Sequence, residues 1–436
     1  MKLLDAEEKI GISTFFTSHK GIGGKLRAKP EDFFVSEISN YPPEKTDGKF
    51  TIADVTATNW ETNLLVREIS DRLHISRQRI GFAGTKDKRA KTTRLMSFYK
   101  IPIDRLSSVK IKDVKIENIY YSDHPVKIGN LVGNSFEIVI RNINEKTSIK
   151  NIRNIYSEIE KNNGFPNFFG IQRFGIIRPI THIVGKYIVQ GDFEKAVMSY
   201  IANPFIEEGE EIYELRKDLQ KTYDFSKALK YYPNHLNFEK AILNKLVKDS
   251  QDFIGAIKEL PKNLLTMFIN AYQSYLFNKI LSQRIKRKLP LNEAVVGDVV
   301  LPIRRGVLDQ EGITVKDSNI DKINFQVSKG KAVVSSILFG SDSKFSEGDM
   351  GIIEQTALDA EKIDHQDFII PDIPYISSSG SRRSLLGFVK NFDFKQFIND
   401  FNNNNYCLLL KFDLQKGCYA TSLLREFMKT DDIRNY

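Results

Sequence analysis

Hydrophobic residues recur along this chain with two different periods, and the switches between them outline its elements. Phe33, Val35 and Glu37 alternate with Phe34, Ser36 and Ile38, which predicts a strand. Thr92 to Tyr99 also reads as a strand, as do the alternating runs at Phe136, Ile138, Ile140 and at Leu408, Leu410, Phe412. Leu65, Ile69 and Leu73 fall at helical spacing within 59–73. Ile149, Ile152, Tyr156 and Ile159 predict a second helix over 148–163, capped by Thr147 or Ser148 and ended by Gly164. From about 176 to 388 the pattern turns mainly helical. Phe193, Ala196, Val197 and Tyr200 share one side of a helix near 192–201, and a long helix spans Leu264 to Lys288. Lys217 to His235, rich in Lys, Tyr and Asp, reads as surface, while Ile313, Val315, Val333 and Val334 suggest strands. Gly21-Ile22-Gly23-Gly24 reads as a flexible loop and Asn402 to Asn405 as a polar turn.

Length and charge narrow this picture. At 436 residues two domains are expected. Lys plus Arg number 64 against 55 Asp plus Glu, a net +9 that suits a polyanionic partner without specifying one. Cys407 and Cys418 form neither C-x-x-C nor a zinc spacing, which points to a reducing compartment. The start carries Asp5, Glu7 and Glu8 where a signal peptide needs an apolar run, and no apolar stretch reaches the roughly 18 residues of a membrane span. The expectation is a cytoplasmic protein without a membrane partner. Lys25 is followed by Leu26, which excludes a phosphate-binding loop after the glycines. There is no His-Glu-x-x-His and no Gly-x-Ser-x-Gly, and His19, His74, His124, His182, His235 and His365 are scattered, so each reads as structural. The basic run Arg284-Ile285-Lys286-Arg287-Lys288 reads either as an RNA backbone contact or as a solvated helix end.

One stretch stands out chemically: Gly81-Phe82-Ala83-Gly84-Thr85-Lys86-Asp87-Lys88-Arg89-Ala90. It sets a single carboxylate, Asp87, among three cations, just after two glycines that permit a tight turn or a close approach. Spacing alone favours a basic surface turn holding one salt-bridged Asp, since charge runs are usually solvated faces.

Gly-Thr-Lys-Asp-Lys-Arg-Ala followed by Thr-Thr resembles a signature of the TruD family of tRNA pseudouridine synthases. Further motifs resemble that family in its order along the chain. Lys29-Pro30-Glu31-Asp32-Phe33 is similar to a motif preceded by a basic residue, here Arg27. Gly129 to Phe136 resembles Gly-x-x-x-Gly-Asn-x-Phe and reads as a structural turn. Pro166-Asn167-Phe168-Phe169-Gly170-Ile171-Gln172-Arg173-Phe174-Gly175 resembles Pro-Asn-Tyr-Phe-Gly-x-Gln-Arg-Phe-Gly, with Phe168 in place of the usual Tyr. Asn270 to Asn278 and Tyr419 to Met428 resemble two later landmarks.

The resemblance implies an α+β protein. A pseudouridine-synthase-like catalytic domain, with a mixed, largely antiparallel sheet flanked by helices, would comprise 1–175 and 389–436. A large α/β subdomain would be inserted over 176–388. It implies isomerisation of a uridine in tRNA, position 13 being the leading target and other RNA a further partner, with no metal or cofactor. A monomer is expected. Asp87 would be catalytic, either attacking C1′ or taking a proton from C2′. Arg27 would lie beside it, Asn167 would orient the acid or bond the ribose, and Phe169 would stack on the base. A non-catalytic RNA-binding protein on the same fold is the alternative. An acid where such a module would prefer a cation argues against it.

Overall fold

The computed structural model describes residues 5–143, 148–304, 306–398, 406–430, 432 and 435–436, without the side chains of 148 and 396–398. The chain forms two compact units, each from two stretches. One joins Thr17–Phe165 to Gly387–Tyr436; the other joins Met1–Phe16 to Pro166–Leu386.

The first unit is built on a nine-stranded sheet. Along its main path the order is Val389–Ile398, Tyr406–Gln415, Leu131–Ile143, Phe33–Ser39, Lys91–Tyr99, Phe50–Thr58 and Val114–Ser122. Only the pairing of Phe33–Ser39 with Lys91–Tyr99 is parallel; the others are antiparallel, so the sheet is mixed and largely antiparallel. Alternation puts Phe136, Ile138, Ile140, Leu408, Leu410 and Phe412 on one buried face. The helices Ser148–Lys161, through Ile152, Ile155 and Ile159, and Ala420–Met428, through Leu423, Leu424 and Phe427, cover that face. The first of these helices keeps Ile155, not Ile149, in its stripe, and Ile149 is exposed. It stops at Asn163 and Gly164, both with positive φ, as Gly164 N–H bonds back to Ile159 O. The cap expected at Thr147 or Ser148 and the turn Asn402 to Asn405 lie outside the described residues. The helix Thr62–Arg72 buries Leu65, Val66 and Ile69 against Ala53, Val55, Met96 and Phe98.

One expectation changes here. Gly21–Gly24 is not a loose loop: Gly23–Lys25 is a short strand on Leu131–Ile143. A Cβ on Gly24 would stand 2.6 Å from the Ile140 side chain, so only glycine lets the strands approach so closely. Close approach also explains Gly133, whose Cβ would meet Leu414 O at 2.3 Å.

The second unit packs helices around the 25-residue helix Lys262–Lys286, which pairs closely with Thr181–Val189. Its five-stranded antiparallel sheet includes Val299–Arg304, Ala332–Leu338 and Ser381–Ser384. The long helix is buried on most sides, and its basic end is not all surface: Arg284 is fully buried and bidentate to Asp298 at 2.6 and 2.8 Å. The Lys217–His235 run is also partly core. Leu219, Phe225 and Ala228 are buried, as is Arg216 next to it, which pairs with Glu208 and Glu239. Among the described residues no helix is long and apolar enough to cross a membrane.

Candidate active site

Asp87 stands on the turn between the strands Ile80–Phe82 and Lys91–Tyr99. Its side chain is 51% exposed, and Arg27 Nη2 donates to its Oδ2 at 2.5 Å. Arg27 reaches the acid from sixty positions earlier in the chain. Its backbone is left-handed (φ 53°), its guanidinium lies 4.1 Å above the Phe33 ring, and only 11% of its side chain is exposed. Burial pushes the Arg27 guanidinium down in pKa, against the upward pull of the Asp87 carboxylate. Arg89 Nη2 donates to Ala28 O at 3.2 Å, so the same turn also holds the segment that follows Arg27.

The acid faces outward because its neighbour faces inward. Lys86 is 8% exposed and pairs with Glu37, 1% exposed, at 2.8 Å. Its ammonium also donates to Asn134 Oδ1 at 2.9 Å. The Lys86 backbone N–H bonds to Thr62 Oγ1 at 2.9 Å, and that hydroxyl also accepts from Arg94 Nη1 at 2.8 Å. Arg94 donates in turn to Thr92 Oγ1 at 2.7 Å, and the Leu95 N–H bonds to Glu37 at 3.2 Å. Burial pushes Lys86 down while Glu37 draws it up, and burial lowers Arg94 to about 10. The peptide carrying Asp87 is thereby tied to the first turn of the Thr62–Arg72 helix and to the strands Phe33–Ser39 and Leu131–Ile143.

Of the two glycines before the acid, only Gly81 is required by space: its Cβ would lie 2.3 Å from Val126 O. Gly84 has room for a side chain and no positive φ.

Asn167 and Phe169 belong to the other unit. Asn167 is buried; its Nδ2 donates to Ser384 O at 3.1 Å and its Oδ1 accepts from Arg383 Nη2 at 2.7 Å. Phe169, 7% exposed, meets Phe277 edge-on at 5.6 Å and has the Arg383 guanidinium 4.0 Å from its ring centroid. Asn278 clasps the Phe169 backbone, accepting from its N–H at 2.9 Å and donating to its C=O at 3.0 Å. The four expected residues therefore form two groups: Arg27 touches Asp87, and Asn167 and Phe169 share Arg383.

Sequence reasoning missed the clamp of Glu37, Lys86, Arg94, Thr62 and Asn134, and it missed Arg383. A signal for Glu37 existed. It occupies the same alternating face as Phe33 and Val35, so the strand pattern itself buries a carboxylate that needs a cation.

Residues 9–427 match the family model of tRNA pseudouridine synthase D (TruD). The chain belongs to the tRNA pseudouridine synthase D family. It is 42% identical over 438 residues to a probable tRNA pseudouridine synthase D of Methanosarcina barkeri, with 100% of each chain covered. It is 41% identical to one of Methanococcoides burtonii, covering 99% of this chain and 98% of that one. A crystal structure from Methanosarcina mazei, of a candidate tRNA pseudouridine synthase D, superposes with a TM-score of 0.90 at 38% identity over 100% of both chains.

Proposed function

We propose that the protein converts the uridine at position 13 of tRNA to pseudouridine, with Asp87 as its catalytic group. The observation that carries this reading is a single exposed carboxylate, paired with Arg27, on a turn held by a buried ionic clamp. Family membership supports the reaction class and the tRNA substrate. The sheet-bearing unit is read as the catalytic domain, interrupted by the helical unit.

The chemistry needs the uracil to leave C1′, turn and rejoin through C5. In one route the Asp87 carboxylate attacks C1′, and the C1′–N1 electron pair departs with the base. Carbon 5 then attacks C1′ and displaces the carboxylate. In the other route the carboxylate removes the C2′ proton, the base leaves to give a glycal, and the proton returns to C2′ once C5 has bonded to C1′. In both, C5 gives up its hydrogen as a proton to solvent, N1 takes up a proton in its place, and the product is an isomer. Arg27 holds the carboxylate in one orientation and balances its charge. A target base must leave its stack for the acid to reach the sugar. Phe169 and Asn167, in the other unit, are read as an aromatic and a polar contact for the RNA.

Tritium release from tRNA labelled at uridine C5 tests this reading. The enzyme should release label from the position-13 uridine with no change in RNA mass. A tRNA with cytidine at position 13 should release none, and release from it would refute that target. Loss of the base's mass would indicate a hydrolase.

A further inference from the structure

Just before the Asp87 turn, the sheet-bearing unit carries a small cavity of about 230 Å³. Asn40, Tyr41, Ala83, Leu95, His124 and Asn130 are among its walls. Ala83 is four residues from Asp87, so the two Cα atoms are at most about 14 Å apart even along an extended chain. The volume falls below the roughly 300 Å³ at which pockets for drug-sized molecules begin, which suits one flat ring.

The cavity is built rigidly. The Tyr41 hydroxyl is tied to the Asp54 carboxylate at 3.0 and 3.3 Å, yet Tyr41 remains 55% exposed. Burial first, and then Asp54, push that hydroxyl up to about 12, so it stays protonated and donating. Tyr120 OH donates to Pro42 O at 3.0 Å, and Lys45 pairs with Asp123 at 2.5 Å, pinning the loop that carries Tyr41. The floor is apolar, from Ala83, Leu95 and Val126. At the rim, Asn130 Oδ1 accepts from the Lys127 N–H, which leaves its amide hydrogens to donate outward. The side chains of Asn40 and His124 take part in no hydrogen bond among the described residues. A fixed aromatic face beside available donors and acceptors is what an unstacked nucleobase requires.

We infer that this cavity binds one unpaired nucleobase of the RNA, close in the strand to the target uridine, with its ring on Tyr41 and its edge toward Asn130 and His124. The inference rests on the functional reading above. It adds a second point of attachment that sets which uridine reaches Asp87.

The test uses the full-length protein and tRNAs that each carry one abasic nucleotide near the target. For the wild type, one abasic position should raise KM about tenfold, the scale of one lost stacked base, with kcat within about threefold. Tyr41→Leu should raise KM about tenfold on intact tRNA and add nothing further on that abasic tRNA. His124→Ala, at an exposed position that leaves the Tyr41 tie in place, should show the same non-additivity at smaller size. If the variant and abasic effects multiply, or if no abasic position raises KM, the inference is overturned while the functional reading stands. If the wild type releases no tritium from intact tRNA, the functional reading fails and takes the inference with it.

Discussion

The turn around Asp87 and the loop around Phe169 are held in opposite ways. At the turn, charge is buried so that charge can be displayed: Lys86, Glu37 and Arg94 lie beneath, and a carboxylate half open to solvent stands above. At the loop, the candidate residues are themselves buried, their backbone clasped by Asn278 and their polar atoms already bonded to Arg383 and Ser384. The first arrangement presents a carboxylate whose position depends on ion pairs. The second presents a surface shaped by packing. Substitutions should therefore fail differently in the two regions: non-additively at the turn, and through binding at the loop.

Breaking the clamp should have the largest effect on stability. Lys86→Met strands the Glu37 carboxylate and should cost about 3–5 kcal/mol, most of it recovered in Lys86→Met/Glu37→Gln. Denaturant titration of the single and double variants measures this; additive losses would mean the pair does not act as a unit. Next comes an acid-sensitive element of the helical unit. His182 is buried against Phe174 and Tyr275, with Nε2 against Lys9 O at 3.0 Å, and burial lowers it from 6.5 to about 4. Above pH 6.5 the ring is neutral both folded and unfolded, and it contributes no pH dependence. Between pH 6.5 and 4 the unfolded chain takes up a proton that the folded chain refuses, so stability should fall by about 3 kcal/mol as pH drops. His182→Phe should flatten that slope in denaturation measured at pH 7 and pH 4.5.

Smaller effects separate packing from binding. Phe169→Leu keeps most of the buried volume but removes the flat face. It should weaken productive RNA binding by about 1–3 kcal/mol with a stability loss under about 1.5 kcal/mol. Unchanged kinetics would assign Phe169 to the core alone. Lys88→Ala, at the exposed position after the acid, should lower affinity modestly for all tRNAs and reduce the salt dependence by about one counterion. A sequence-dependent loss would contradict a phosphate contact.

Much of this was legible from the order of residues. The Thr62–Arg72 helix and the strands bearing Phe33, Phe136 and Leu408 follow from periods of 3.6 and 2, because each buries mainly one face; the Lys91–Tyr99 strand is buried on both faces from Arg94 to Phe98. The family signature singled out Asp87. What could not be read was which cation beside it turns inward. Lys86, Lys88 and Arg89 look alike as letters, and only the partner Glu37, brought in across the sheet, sets Lys86 apart. Arg284 was hidden for a related reason: a helix buried on most sides has no polar face against which an inward arginine looks anomalous. The Gly23–Lys25 strand was hidden because its pairing depends on Ile140 and Arg141, more than a hundred positions away.

Tritium release from uridine-labelled tRNA, compared between the wild type and Asp87→Asn, tests the central claim most directly. The account predicts that turnover disappears in the variant while RNA affinity stays within about tenfold, since one charge is a small part of a polyelectrolyte contact. Near-normal release by Asp87→Asn would contradict it.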